Sequence, residues 1–299
     1  MSARKPRVSI GLPVYNGERY IAETIDSHLA QTFQDFELII CDNASTDRTE
    51  QICRENAARD TRIRYVRNPG NLGAAANYRL AFELSSAEYF RWNPSDDLCG
   101  PEFLARCVEL LDREPSVVLA YPKTKLIDER GQVISEYEDC LRVESNRASD
   151  RFVQLLQNLR LCNALYGLIR ANVLRRTALL RNFIGGDIPL LAELALYGEF
   201  REIPEFLFFR RFHAQASSSM EKEDQVLEFY DPKRKGKTPL TAWRHLHAHF
   251  CSVRRAPLDL SEKLRLFGYI ARMGVWSRGR LAGELSAAVR QKLHSALEA

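Results

Sequence analysis

Apolar positions along the first third of the chain follow two alternating periods. Residues 7–12 alternate as a short strand, whereas residues 36–41 and 63–66 are near-continuous apolar runs of the kind buried on both faces of a parallel sheet. Between them, Ile21, Ile25 and Leu29 share one face of a helix, Ile52 marks the inner face of a second, and Leu80 and Leu84 that of a third. Residues 89–92, Tyr-Phe-Arg-Trp, read as a fourth buried strand that runs into Pro94 and stops at the adjacent carboxylates Asp96 and Asp97. Strands alternating with helices at this period specify an α/β fold with a doubly wound, mostly parallel sheet.

Further along, Leu104, Val108 and Leu111 mark a helix and residues 117–121 another buried strand. Residues 125–134, centred on Asp128-Glu-Arg-Gly131, predict a polar hairpin, and the polar, acidic stretch 136–150 predicts a mobile segment. A strand over 165–170 and a helix over 171–180 follow. Gly185 and Gly186 allow a tight turn before Asp187, which opens an apolar helix through Leu190, Leu194 and Tyr197. The long strand over 200–212 ends at Arg210-Arg-Phe-His213, ahead of Ala-Gln-Ala-Ser-Ser-Ser219. From about Tyr230 the pattern becomes amphipathic helices over 241–255, 261–275 and 281–297, broken at Pro239 and Pro257. The expected division is an α/β domain over 1–220 and a basic helical region over 221–299.

Composition narrows the classes. With 299 residues and 45% hydrophobic content the chain can bury a large core, so disorder is not expected. No apolar run approaches the ~20 residues of a membrane span, and the start, Met-Ser-Ala-Arg-Lys-Pro-Arg, lacks a signal-peptide core, which predicts a cytoplasmic protein. Seven cysteines without a C-x-x-C pair predict reduced, mostly buried thiols. A net charge of +4 is too small to indicate a nucleic-acid partner. The charge is uneven, however: from Tyr230 to Ala299 fourteen Lys and Arg stand against five Asp and Glu. That region reads either as a helical appendage that packs on the α/β domain or forms a homo-oligomer, or as a surface for an anionic membrane. In the second case Trp243, Phe250, Phe267 and Trp276 supply the apolar part and place the protein at the inner face of the membrane.

The chemistry concentrates where three strands end in polar turns, after Leu12, Cys41 and Trp92. Ligands of open α/β sheets sit at the carboxyl ends of strands, which would gather Pro13, Tyr15, Asp42, Asp96 and Asp97 in one crevice. The Gly-x-Gly-x-x-Gly fingerprint and the Gly-x-x-x-x-Gly-Lys-Ser/Thr loop are both absent from the sequence. Phosphate must then be held otherwise, and paired carboxylates binding Mn²⁺ or Mg²⁺ are the economical solution. Plainer roles compete: Asp96 or Asp97 capping the helix after Pro101, Asp42 as a turn residue, Asp47 as a cap with Glu50, and Asn71 as a left-handed turn residue.

Four motifs, Pro13-Val-Tyr-Asn-Gly17, Cys41-Asp-Asn-Ala-Ser-Thr-Asp47, Asn71-Leu-Gly-x-x-x-Asn77 and Ser95-Asp-Asp97, resemble in order and spacing those of the family 2 glycosyltransferases of GT-A fold. The resemblance implies that Asp42 contacts the nucleotide base, that Pro13 and Tyr15 line the base pocket with Asn71 beside them, and that Asp96 and Asp97 bind ribose and metal. Pro94 departs from it, standing where many members carry the first Asp of an Asp-x-Asp motif, so the metal ligand is not fixed by the match. The resemblance also implies that Asp187 is the catalytic base, although a helix-capping role would suffice for it, and that His213 approaches the metal or the diphosphate. Arg210 or Arg211 would clamp the leaving group. The expected activity is metal-dependent, inverting transfer from a nucleotide-sugar donor, a UDP- or dTDP-sugar, to a glycan or lipid-linked acceptor of a surface polysaccharide. Two rivals stand beside it. A nucleotidyltransferase needs a basic, Gly-rich loop after the first strand, which Pro13–Gly17 does not supply; a non-catalytic sugar-nucleotide binding module would bind donor without turnover.

Overall fold

The computed structural model describes residues 5–216, 219–220 and 223–297. The first four residues of the expected leaderless start, and Ser217 and Ser218 of the Ser-rich loop, lie outside the described residues. Among the described residues nine strands form one mixed sheet: β1 (Val8–Val14), β2 (Phe36–Asp42), β3 (Ile63–Arg67), β4 (Tyr89–Trp92), β5 (Leu98–Cys99), β6 (Val117–Ile127), β7 (Val133–Tyr137), β8 (Leu168–Arg170) and β9 (Glu199–Arg211). Their spatial order is β3-β2-β1-β4-β8-β6-β9-β5, with β7 paired to β6. Strands β1 to β4 pair in parallel, as does β6 with β9, while β8, β7 and β5 run antiparallel to their neighbours.

The parallel half arises as the sequence pattern predicts. Helices α1 (Ile21–Leu29), α2 (Thr49–Arg59) and α3 (Ala74–Glu83) alternate with β1 to β4. Ile10, Leu12, Leu38 and Ile40 are wholly buried in one core cluster, and Ile39, Phe90 and Trp92 in the other. Strand β1 runs two residues beyond its expected end, through Pro13, although proline removes a ladder donor. The ladder explains why this is harmless. Asn93 N donates to Gly11 O, and Asn43 N to Val14 O, so Pro13 points its nitrogen to the β4 side beyond the last β1–β4 pair, Gly11 with Trp92. Trp92 in turn stacks edge-on to Phe90 with centroids 5.0 Å apart and donates its indole N–H to Tyr78 O at 2.7 Å, fixing α3 against the sheet.

The second half departs from the sequence reading in several places. Strand β6 is continuous through Ile127, so the polar hairpin is its extension with β7, closed by Asp128 Oδ1 accepting from Arg130 N and Gln132 N. The stretch 136–150 is not a free loop: Leu141 and Val143 are buried in the core, and Val143 O accepts from Phe200 N. An unforeseen helix α5 (Ala148–Asn158) follows it, burying Phe152 and Leu155. A 3₁₀ turn over Asn163–Tyr166 replaces the start of the strand expected at 165, and the helix expected over 171–180 is only the single turn α6 (Ala171–Leu174). Between β5 and β6 lies α4 (Phe103–Arg113), and α7 (Asp187–Tyr197) precedes β9.

The C-terminal helices α8 (Glu223–Tyr230), α9 (Thr241–Arg255), α10 (Leu260–Trp276) and α11 (Arg278–Leu297) agree with the amphipathic pattern, apart from the unpredicted α8. Val253 and Ala256 from the α9 end, and Leu266, Tyr269 and Ile270 from α10, are buried in the same cluster as the α5 and α7 side chains. The buried carboxylate of Glu193 on α7 pairs with Arg255 and accepts from Ser252 Oγ and Ala178 N, each at 3.1 Å. This tie is costly to break from one side, because the remaining charge is left desolvated.

His249 on α9 is buried against the edge of the Phe152 ring, and burial pushes its imidazole down to about 3. His28, wholly buried in α1, is shifted down for the same reason. Below pH 6.5 the unfolded chain binds protons that these folded-state imidazoles refuse, so stability is lost as pH falls. Each site is expected to remove about 1.4 kcal/mol by pH 5.5. Asp139 acts in the opposite sense. Burial and Glu202 raise it to about 7, so its contribution weakens as pH rises through that range. Urea unfolding of the parent and of His249→Phe at pH 7.5 and 5.5 isolates the imidazole: the variant is expected to lose less stability on acidification, and equal losses would contradict the assignment.

Candidate functional site

A cleft of about 460 Å³ opens at the carboxyl ends of β1, β2 and β4 and is closed on its far side by the end of β9 and by α8. Its lining includes Pro13, Tyr15, Asn43, Asn71, Asn77, Asp96, Asp97, Arg210 and His213, together with Gln225 and Phe229 from α8. Six of the eight site residues expected from sequence therefore converge. Asp42 and Asp187 are outside the lining.

One wall is a network of asparagines. Asn43 Nδ2 donates to Asn71 Oδ1 at 2.8 Å, while Asn43 Oδ1 accepts from Leu72 N and from Asn68 Nδ2. Asn68 also donates to Asn77 Oδ1, and Asn77 Nδ2 donates to Cys41 O at 2.7 Å. The network pins the β3–α3 loop to the end of β2. Asn71 is not in the left-handed region; its Oδ1 accepts from Gly73 N, and Gly73 itself takes φ 84°. A Cβ on Gly73 would lie 2.4 Å from Tyr230 O, so only glycine lets α8 close over the cleft here.

Asp42 needs a correction. It is completely buried, with Oδ1 accepting from Ser45 N at 2.8 Å and Oδ2 from the Tyr65 hydroxyl at 2.6 Å. Asp42 is still in the ladder, opposite Arg67, and its side chain turns inward; the next residue, Asn43, lines the cleft. Asp47 anchors the start of α2 by accepting from Thr49 N and holds the first loop by accepting from Glu18 N. Glu50 completes no capping box with it, being paired to Arg54 and Arg67 instead.

The opposite wall is built around the end of β9. Arg211 is buried and fully engaged. Its N–H donates to Asp97 Oδ1 at 2.7 Å, Nε to Asp96 O, Nη1 to the carbonyls of Asp128 and Glu129, and Nη2 pairs with Glu23. It thus holds the Asp96–Asp97 turn in place, with all three of its side-chain nitrogens engaged by acceptors. Arg210 lines the cleft while anchored by Leu161 O and Asn163 Oδ1. His213 Nε2 is 2.8 Å from Asp96 Oδ2, and the imidazole packs on the Tyr20 ring at 4.9 Å. Its Nδ1 is buried without a partner.

Among the described residues no three His, Cys, Asp or Glu side chains form a ready metal cluster. Of the expected trio Asp96, Asp97 and His213, all three line the cleft and Asp96 and His213 are in direct contact, Nε2 to Oδ2 at 2.8 Å. Asp97 is buried with one oxygen committed to Arg211 N, and burial, together with the neighbouring Asp96, raises its pKa well above the usual carboxylate range. Asp96 and His213 fit a hard cation that takes one or two protein ligands and completes its shell from phosphate oxygens and water.

Asp187 is the first residue of α7, not its cap, which is Gly186; Asp187 Oδ1 accepts from Ile188 N at 3.0 Å. Its carboxylate also accepts from the Cys162 thiol and raises that thiol further beyond what burial does. It acts electrostatically on Tyr166, which lines the cleft, and on Tyr230. Asp187 itself is half-buried and is not part of the lining.

Residues 9–180 match the sequence model described as Glycosyl transferase family 2. Chondroitin synthase of Escherichia coli is 36% identical over 134 residues, 44% of this chain and 19% of that protein. An uncharacterized glycosyltransferase of Rickettsia typhi is 32% identical over 155 residues, covering 52% of this chain and 48% of that one. The chain thus spans half or less of the length of these two relatives. An uncharacterized glycosyltransferase of Haemophilus influenzae matches more extensively, at 27% identity over 74% of this chain and 70% of its own. Among solved structures, S. aureus TarS 1–349 in complex with UDP-GlcNAc superposes with a TM-score of 0.65 at 16% identity, over 95% of this chain and 81% of that one. The mannosyltransferase PcManGT from Pyrobaculum calidifontis in complex with GDP-Man and Mn²⁺ gives 0.54 at 18% identity, over 97% and 88%.

Proposed function

The chain belongs to glycosyl transferase family 2 and has the GT-A fold, and from that premise we propose that it moves a sugar from a nucleotide-sugar donor to a glycan or lipid-linked acceptor. The observation that carries this reading is the convergence, at the carboxyl ends of three parallel strands, of an asparagine-lined wall and an Asp96–His213 wall around one cleft. The donor is a UDP- or dTDP-sugar, and the product a surface polysaccharide. Support for the donor class comes from TarS, solved with UDP-GlcNAc, and from PcManGT, solved with GDP-Man and Mn²⁺.

In this reading the nucleoside lies against Pro13 and Tyr15, with Asn43 and Asn71 offering amide groups to it. The diphosphate lies toward Asp96, His213 and Arg210, where the guanidinium of Arg210 offsets part of its charge. Mn²⁺ or Mg²⁺, when bound with the donor, supplies further neutralisation of the departing diphosphate. Arg211 and Asp97 keep the Asp96 turn rigid. Asp187 takes the proton of the attacking acceptor hydroxyl as the new bond forms between that oxygen and the anomeric carbon. The bond from the same carbon to the phosphate oxygen breaks, and attack from the opposite face inverts the centre. A panel of nucleotide-sugars incubated with Mn²⁺ and read by nucleoside diphosphate release tests the activity. Binding without release, across acceptors, would favour the non-catalytic module.

The helical region adds a second part to the proposal. Trp243, Phe250 and Trp276 are exposed among the basic residues of α9 to α11, a composition suited to an anionic membrane surface. Among the described residues no helix is long and apolar enough to cross a membrane. The full chain is expected to sediment with anionic vesicles at low salt, and Trp276→Ser to reduce the bound fraction several-fold. Equal sedimentation of the two would favour self-association through the same helices, which size measurements in solution would then detect.

A further inference from the structure

A second hollow, of about 420 Å³, is lined by Arg79 from α3, by Ala178, Arg181, Asn182 and Phe183 from the segment leading to α7, and by Arg244, His247 and Arg255 from α9. It shares no lining residue with the donor cleft, although the two adjoin along α3, where Tyr78 lines the cleft and Arg79 the hollow. Four guanidinium groups and an imidazole meet here, and no carboxylate lines the space.

The arginines are not equivalent. Arg79 has Glu83 at 3.8 Å, and Arg255 is tied to Glu193. Arg181 and Arg244 have no carboxylate within ion-pair distance among the described residues. Arg244 is half-buried with its guanidinium 5.9 Å over the Phe183 ring, and its Nε is buried without any hydrogen-bond partner. Burial and the nearby Arg234 disfavour its charge, while Asp231, which accepts from Asn182 Nδ2 at 2.8 Å, favours it to a smaller extent. An unpaired, partly desolvated cation is costly to a fold unless something compensates it. The planar guanidinium fork is matched by the paired oxygens of a phosphate.

We propose that this hollow is an anion site in which Arg181 and Arg244 grip a phosphate group of the acceptor, with Arg79 and Arg255 at its rim. The same segment that supplies Arg181 to the hollow ends at Asp187, so an acceptor anchored here by its phosphate is directed toward the group that takes its proton. The assignment of the phosphate to the acceptor rests on the transfer reading above; the anion site itself does not.

Calorimetric titration of inorganic phosphate into the full chain, with the donor cleft filled by UDP and Mn²⁺, tests the site. Saturable binding is expected, weakened about tenfold or more in the Arg181→Gln/Arg244→Gln double variant, with UDP affinity unchanged. Arg181→Gln alone, at a side chain with no ion pair among the described residues, is expected to weaken it several-fold and guards against misfolding of the double variant. Two further probes separate the sources of phosphate. Soluble glycerol phosphate competing with inorganic phosphate points to a phosphate-bearing glycan; variant-sensitive retention on phosphatidic acid vesicles without such competition points to a lipid phosphate. Absence of phosphate binding, or equal binding by parent and both variants, would overturn the site. A failure to bind UDP in otherwise phosphate-binding protein would instead count against the transfer reading.

Discussion

Asp187→Asn is expected to melt and to bind donor as the parent does, yet to transfer sugar to acceptor about 10²-fold or more slowly. The two roles open to this residue make different demands. At the first position of α7 it needs only an acceptor for Ile188 N, at 3.0 Å from Oδ1, and for the Cys162 thiol; the amide oxygen of Asn serves both. Accepting a proton from a hydroxyl requires a carboxylate, which Asn lacks. Asp187 is half-buried and lies outside the cleft lining, with Tyr166 and Tyr230 in its electrostatic neighbourhood. Turnover and donor affinity measured side by side decide the matter. Transfer at nearly the parent rate would leave Asp187 a helix-opening residue only.

The second large effect belongs to Asp96. Asp96→Asn is expected to abolish the stimulation of nucleoside diphosphate binding by Mn²⁺ and to lower turnover by 10²-fold or more, because it removes the one carboxylate that both lines the cleft and faces His213 Nε2. Asp97→Asn serves as the contrast. Its Oδ1 keeps Arg211 N at 2.7 Å, and a buried group whose acid form is already favoured tolerates a neutral amide. That variant should retain most of the Mn²⁺ response. Metal stimulation lost in Asp97→Asn and kept in Asp96→Asn would reverse the assignment.

How far these roles could be read from the chain depends on the kind of signal each residue carries. The parallel half of the sheet was legible because buried strands such as 36–41 and 89–92 are bounded by turn residues, and because helices with a clear apolar face separate them. The charge of residues 136–150 hides the isolated apolar side chains Leu141 and Val143, which are buried in the core and help to anchor the segment. Helix α8, which covers the cleft with Gln225 and Phe229, carries no chemical motif. Its docking depends on Gly73, a residue that sequence reading treats as a turn.

Within the site, motif spacing located the strand ends but not the direction of each side chain. Asp42 and Asn43 are adjacent, and only the position of the last ladder pair decides which lines the cleft. Arg211 shows the same limit. Its neighbour Arg210 carries the same charge and both line the cleft, yet the Arg211 side chain is held by four acceptors, including the backbone of Asp96, whereas Arg210 is anchored by Leu161 O and Asn163 Oδ1. The arginine hollow left no local trace at all, since Arg79, Arg181 and Arg244 come from three distant segments.

The most direct test of the central claim, that the cleft between the asparagine wall and the Asp96–His213 wall holds the diphosphate of a sugar donor, is a calorimetric titration of UDP, dTDP and GDP into the full chain with and without Mn²⁺. At least one of the three is expected to bind saturably, about tenfold or more tightly with the metal, and to lose that enhancement in Asp96→Asn. Binding by none of them, or binding equally strong in Asp96→Asn with and without Mn²⁺, would contradict it.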